Sequence, residues 1–388
     1  MKRAYVFVVC GDASHLDTLK VSYDILCHHT IYPIYIVTDP MRNDYPISYP
    51  LQIEISTPTH LNHHQASIWM KTSLHKILPP HTLFAYLDTD ILAFGKQPDN
   101  IFDQYVAPIR FAPDHCQLMQ FSSYAVNCEC QPYYEEKRHQ LQSYFKANDP
   151  YAQNPSSEII AKRKQLIEAQ EKIRKNFINR IFFLLKFLFF YPRFRVNNQF
   201  YYQKKDRTFY SNEGEPIMKS HSMNDAANAC DLKWSVLKQD FVGKNKLNIF
   251  HPRCKHLKYA IEKEFNVAIQ SNWQHWNGGV FLFSDDSHAF MNTWHTYTMD
   301  IFDNPYWKTR DQGTLIAAVW RHNLQHHPTL HPKWNLIIDY QSTGNMVLGN
   351  GAIYCRGKEY YPEFVHIYHH FGDTSWPVWN AIINHISK

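Results

Sequence analysis

Three apolar, β-rich runs alternate with helical stretches in the first 90 residues, and this alternation constrains the fold more than any other feature of the chain. The first run, AYVFVVCGD (residues 4 to 12), ends in Gly11 and Asp12 and is followed by the helix-like LDTLKVSYDILCHH. A second, IYPIYIVTDP, precedes the helical HQASIWMKTSLHKIL, which stops at Pro79 and Pro80. The third, TLFAYL, runs directly into YLDTDILAFG (86 to 95). Strands that alternate with helices imply an α/β chain with a Rossmann-like, doubly wound, mostly parallel sheet, its first half shaped to hold a mononucleotide.

Asp88 and Asp90 stand one residue apart at the end of the third strand. Successive strand side chains alternate faces, so the two carboxylates project together at the carboxyl end of TLFAYL, where open α/β sheets bind ligands. Two convergent carboxylates suit a hard divalent cation, Mn²⁺ or Mg²⁺, that keeps positions open for phosphate oxygens. The same pattern also occurs in solvated turns, so its meaning depends on what else the chain carries.

Further along come WNGGVFLFSDD (276 to 286), RDQGTLIAAVW (310 to 320), HPKWN (331 to 335) and VHIYHHFGDTSWPVW (365 to 379). In this order the segments resemble the GT-A glycosyltransferases, most closely glycosyltransferase family 8, whose members are retaining enzymes. The resemblance covers roughly residues 1 to 110 and 270 to 388. It implies that Asp88 and Asp90 bind Mn²⁺ and the ribose and diphosphate of a nucleotide sugar. The family's third metal ligand is a His in a His-x-x-Gly segment, which points to His369, with His366 and His370 as competitors. Asn277, Gly278 and Gly279 match the family's Asn-x-Gly strand start, and Asp311 with Gln312 matches a pair near the anomeric carbon. Lys71, 17 residues before Asp88, falls where the family often has a basic residue facing the nucleotide. Asp12 and His15, past the first strand, are expected at the uracil and ribose. Ser375 stands where the family has a lysine on the diphosphate, so Lys71 or Arg310 is left to offset the leaving-group charge. Asp285 and Asp286 are expected to cap the helix after WNGGVFLFS.

Residues 158 to 207 differ in kind. They carry 13 Lys and Arg against four Asp and Glu, a net charge of +9, whereas the whole chain is only +5. The basic surplus is therefore local. Within it, INRIFFLLKFLFFYPRF is too short and too interrupted by Lys186 to span a bilayer, which takes about 20 apolar residues. Helical spacing would align Lys172, Lys175, Asn179 and Lys186 on one stripe, predicting one amphipathic element over residues 172 to 195 that lies on an anionic membrane. The competing reading is a buried hairpin. Nucleic acid is the poorer partner, because the aromatics are contiguous rather than interleaved with the basic residues. The opening residues read directly as the first strand, so neither signal sequence nor anchor is expected, and the eight scattered cysteines are expected to stay free in a reducing cytoplasm. Cys128 and Cys130 alone are close in sequence, too close for a usual zinc knuckle.

These features predict three stretches: residues 1 to 130, a nucleotide-sugar-binding half; 131 to 270, a helical, basic insertion; and 271 to 388, the acceptor and catalytic half. The expected activity is metal-dependent transfer of a hexose from a UDP-linked sugar to a glycan or lipid-linked acceptor, with retention. A sugar nucleotidyltransferase and a non-catalytic carbohydrate-binding scaffold are the alternatives. Against the first, Gly11-Asp12-Ala13 is not a basic, Gly-rich phosphate loop.

Overall fold

The computed structural model describes the whole chain except residues 153–154, 190, 236, 239, 251, 339–346, 350, 356–357 and 388. It divides into two compact units: Met1–Cys128 with Cys254–Lys388, and Glu129–Arg253.

In the first unit the chain runs through β1 (Lys2–Val9), α1 (Ala13–His29), β2 (Ile34–Thr38), β3 (Gln52–Glu54), α2 (His63–Thr72), β4 (Thr82–Leu87), β5 (Ile91–Ala93), β6 (Ile109–Gln117) and α3 (Leu118–Ala125). After residue 253 it continues through α4 (His256–Phe265), β7 (Gln274–Phe283), α5 (His288–Asp300), α6 (Arg310–Arg321), β8 (Leu336–Ile337) and β9 (Phe364–His366). The main sheet has the order β3-β2-β1-β4-β7-β6. Strands β3, β2, β1 and β4 are parallel neighbours, and β7 runs antiparallel between β4 and β6. The α/β, mostly parallel reading of the sequence therefore holds.

The period-two pattern of the strands decides how the sheet is covered. Val6, Val8, Phe84, Tyr86, Phe281 and Phe283 share one face with α2, α5 and α6, while Tyr5, Phe7, Leu83, Ala85, Val280 and Leu282 share the other with α1. All six residues of β4 are buried. Full burial of Leu83, Phe84 and Leu87 contributes roughly 1.5–3 kcal/mol for each side chain, so the sheet is firmly fixed where β4 delivers Asp88. Because β2 and β4 leave β1 in opposite directions, the order reverses between β1 and β4, and a crevice opens beyond their carboxyl ends.

A smaller sheet, β8-β9-β5, supports that crevice. β9 lies antiparallel to β5, with His366 opposite Ile91, and parallel to β8. Pairing with the strand that leaves Asp90 is what carries a histidine 276 positions away to the two carboxylates.

The second unit is mixed rather than purely helical. Beside the helices Cys130–Asn148, Ser157–Lys175 and Phe177–Leu188 it holds an antiparallel sheet of Arg193–Arg195, Phe200–Gln203, Thr208–Ser211 and Pro216–Lys219. Its own core includes Leu166, Phe194, Phe200, Phe209 and Ile217. The expected single element over residues 172 to 195 is not what forms. Asn176 adopts extended backbone, φ −98° and ψ 115°, and its side chain accepts from Ile178 N and Asn179 N to start a new helix. Lys172 and Lys186 therefore sit on different helices and share no stripe; the Lys175 side chain lies outside the described residues. Residues 254 to 270, expected in the insertion, belong to the first unit, where α4 buries Leu257, Ile261 and Phe265 in the main core. Among the described residues no helix is long and apolar enough to cross a membrane.

Candidate active site

The crevice at the β1/β4 switch point is a cleft of about 300 Å³ lined by Val8, Val9 and Cys10, by His15, His63, His64 and Lys71, and by Tyr86, Asp88, Asp90 and Asp311. α2 brings Lys71 to it, and α6 brings Asp311 from its first turn. Asp88 follows β4, its N–H held by Gly279 O at 2.9 Å, and Asp90 precedes β5.

Asp88, Asp90 and His366 present ligand atoms that all lie within 4.8 Å of one another. His366 Nε2 is 3.3 Å from Asp90 Oδ1, a buried oxygen without a hydrogen-bond partner among the described residues. His369 does not join the group. The chain turns away after β9, and His369 is exposed, packed on Tyr368 with ring centroids 4.1 Å apart. His370, at φ +61°, hydrogen-bonds Asp373 at 3.1 Å. The histidine beside the carboxylates is thus His366, because its strand pairs with β5, and a His-x-x-Gly spacing cannot report strand pairing.

Hydrogen bonding fixes which nitrogen His366 offers. Gly279 N–H donates to Asn277 Oδ1 at 2.9 Å, so that oxygen is the acceptor and also takes Asn335 Nδ2 at 2.9 Å. Asn335 Oδ1 is left to face His366 Nδ1 at 3.1 Å, which must then carry the proton. Nε2 therefore faces Asp90 and is the nitrogen the ring would offer to a metal ion once it carries no proton. Asn277 Nδ2 in turn donates to Asp114 Oδ2 at 3.1 Å, anchoring the chain of amides on a carboxylate. Asn335 and Asp114 were not singled out from sequence; HPKWN marked the neighbourhood of the first, and nothing marked the second.

The cleft is negative. Lys71, almost fully buried, donates to Asp88 Oδ1 and Asp311 Oδ2, each at 3.1 Å, and Tyr86 OH donates to Asp88 Oδ1 at 2.5 Å. Burial disfavours the ammonium, yet the carboxylates of Asp88 and Asp311 outweigh it and raise the Lys71 pKa. Burial would raise the Asp311 carboxyl, but Lys71 holds it below its ordinary value. Asp90 is likewise lowered, His366 overcoming burial, and the His366 ring is raised by Asp90 and Asp88 against the same penalty. Three carboxylates faced by one lysine and one imidazole, with a buried carboxylate oxygen left over, fit a divalent cation held by Asp88, Asp90 and His366.

The remaining residues take different places. Gln312 Oε1 accepts from Gly278 N at 2.9 Å and its Nε2 donates to Trp276 O, so its amide is committed to the β7 backbone. A Cβ at Gly279 would lie 2.8 Å from the His366 ring, and one at Gly278 would meet Gln312 and Lys71 at 3.3 and 3.4 Å. Arg310 Nε donates to Phe302 O, and Ser375 is exposed and hydrogen-bonded to Asp373. Asp285 accepts from His81 N at 2.9 Å, and the cap before α5 comes from Ser284 instead. His15 lines the cleft, whereas Asp12 is exposed at the start of α1. His63 and His64 line it too and carry no sequence mark; burial lowers the pKa of His64.

No family model matches the chain, and no curated protein is similar to it at a significant level. Among solved structures, mouse xyloside xylosyltransferase 1 is similar over 97% of this chain and 99% of its own, at 9% identity and a TM-score of 0.39. The galactosyltransferase LgtC, in complex with donor and acceptor sugar analogs, is similar over 99% and 95%, at 9% identity and a TM-score of 0.39. The bifunctional glycosyltransferase WbbM is similar over all of this chain and 50% of its own, at 9% identity and a TM-score of 0.42. At these scores the likeness assigns neither residues nor substrates.

Proposed function

We propose that this chain is a GT-A-fold glycosyltransferase that moves a hexose from a UDP-linked sugar to a glycan or lipid-linked acceptor, with Mn²⁺ or Mg²⁺ held by Asp88, Asp90 and His366. The observation that carries the reading is the convergence of those three side chains, His366 held through Nδ1 by Asn335, at the switch point of the sheet. When bound, the ion offsets the charge that develops on the departing diphosphate. Lys71 is a second, fixed cation beside the cleft and takes the part left open by Ser375. Asn277 and Asn335 orient His366, and Gln312 holds the β7 backbone that frames it.

Asp311, its pKa lowered despite burial and its carboxylate on Lys71, is a weak base for a sugar hydroxyl. Front-side attack follows. The acceptor oxygen forms its bond to the anomeric carbon as the bond from that carbon to the diphosphate oxygen breaks. The acceptor proton passes to the departing diphosphate, and the anomeric configuration is kept.

Calorimetric titration with UDP and Mn²⁺ tests the site: Asp88→Asn and Asp90→Asn should each abolish Mn²⁺-dependent binding and transfer in a protein that still folds. Unchanged affinity in both variants removes the metal assignment. Proton NMR of the first-formed glycoside tests the stereochemistry, and an inverted linkage would reject front-side attack.

A further inference from the structure

Away from the cleft, the first unit gathers another set of ligating side chains that glycosyl transfer does not use. Cys128 lies just after α3, Cys254 begins the return of the chain, and His256 opens α4. Their two sulfurs and one ring nitrogen all lie within 4.8 Å of one another. A tetrahedral zinc with Zn–S near 2.3 Å would set its sulfurs roughly 3.8 Å apart, so these atoms are already at nearly the right separation. None of the cysteines is in a disulfide.

The surroundings are those of a supported ligand set. Cys254 is buried, its N–H donates to Met119 O at 3.0 Å, and its Sγ donates to Ser122 Oγ at 3.0 Å. Ser122 is itself fully buried at 0% exposure and also accepts from Leu257 N at 2.9 Å, tying the cysteine to the start of α4. As a ligating thiolate Cys254 would instead accept from the Ser122 hydroxyl, whose oxygen still takes Leu257 N, and such a bond would fix the direction of the sulfur much as one does for a ligating histidine. In sequence Cys254 and His256 form a Cys-x-His pair at the point where the chain returns to the first unit, and Cys128 stands at the point where it leaves.

We propose that Cys128, Cys254 and His256 hold a structural zinc ion that clasps the two points where the first unit is interrupted, at residues 128 and 254. Two thiolates and an imidazole form a borderline-soft donor set that favours zinc over the hard cation suited to Asp88 and Asp90. Closing so long a loop in the unfolded chain is costly, and a clasp at its base offsets part of that cost.

The test uses the full chain, purified reduced and without chelator. Elemental analysis should find one zinc per chain, lost in Cys254→Ser and in His256→Ala. The second variant changes an exposed side chain, so its folding, checked by circular dichroism, separates loss of metal from loss of structure. After chelator treatment, Co²⁺ should restore a thiolate-to-cobalt charge-transfer band, weakened in Cys128→Ser and Cys254→Ser. The band should be intact in Cys116→Ser, whose cysteine lies with Asp114 and His275, and in Asp90→Asn. No thiolate band in the wild type, or a band undiminished in Cys254→Ser, would overturn the proposal.

Discussion

Gly279 does two things: lacking a side chain, it leaves room for the His366 ring, and its backbone N–H fixes the direction of the Asn277 amide. From that one backbone donor the orientation passes through Asn335 to the imidazole. Asn335 is therefore a positioning residue for the metal. Asn335→Leu should weaken Mn²⁺ binding by about 10- to 100-fold, the usual cost of losing such a partner, while Asn335→Asp, which keeps an acceptor for Nδ1, should retain more. Titration of Mn²⁺ in the presence of UDP measures both, and equal affinities in wild type and Asn335→Leu would disprove the role. At this scale the sequence was legible where chemistry is written in neighbouring positions. Asp88 and Asp90 stand together at a strand end by their spacing, and the Asn277 to Gly279 strand segment was marked by the family resemblance. His366 was not singled out, because choosing among His366, His369 and His370 requires the β9 to β5 register, a long-range pairing invisible in a run of histidines. Asn335 and Asp114 act through a partner's hydrogen bond, and no local pattern marks that.

The element most at odds with its sequence reading is the basic stretch. Its charge was read correctly but its geometry was not, since Asn176, an ordinary polar residue in the pattern, ends one helix and caps the next. The outcome strengthens a different face. On the helix Phe177–Leu188 and its C-terminal extension, Ile178, Ile181, Phe182, Leu185 and Phe189 are all exposed, at spacings of three, four and seven residues that put them on one side. Phe183 turns the other way and packs on Phe194, with ring centroids 5.2 Å apart. An apolar stripe with exposed Lys186 on its own helix, and exposed Lys172 on the helix before it, fits the boundary of an anionic membrane. Phe182→Glu with Leu185→Glu should abolish co-sedimentation with phosphatidylglycerol vesicles without affecting UDP and Mn²⁺ binding. Lys172→Glu with Lys186→Glu should lower it by about 2 kcal/mol, an effect screened by salt. Wild-type protein that stays in the supernatant at low salt would refute membrane association.

At the scale of the whole molecule, the first unit is assembled from two stretches separated by 125 residues, yet every site residue named above, the zinc ligands included, lies in those two stretches. Its sheet and cores draw on both, so β7 and α4 are as necessary to it as β1 and β4. The sequence conveyed this only in part: motifs at both ends of the chain implied one site, but the return point at Cys254 was hidden, because α4 has no unusual composition and declares itself only by what it packs against. Since the sulfurs of Cys128 and Cys254 lie within 4.8 Å, their Cα atoms are at most about 10 Å apart, a gap that three or four extended residues span. A unit with its own core and closely spaced chain ends should fold by itself. Replacing residues 129 to 253 with a short Gly-Ser linker should therefore give a folded protein that binds UDP and Mn²⁺ within about threefold of the full chain, since affinity set by local contacts changes by less than 1 kcal/mol. The same protein should fail to sediment with vesicles, having lost the helix Phe177–Leu188. Cooperative thermal unfolding and a UDP titration decide the matter: a shortened chain that is soluble but lacks a cooperative transition would show that the insertion is part of the fold it interrupts.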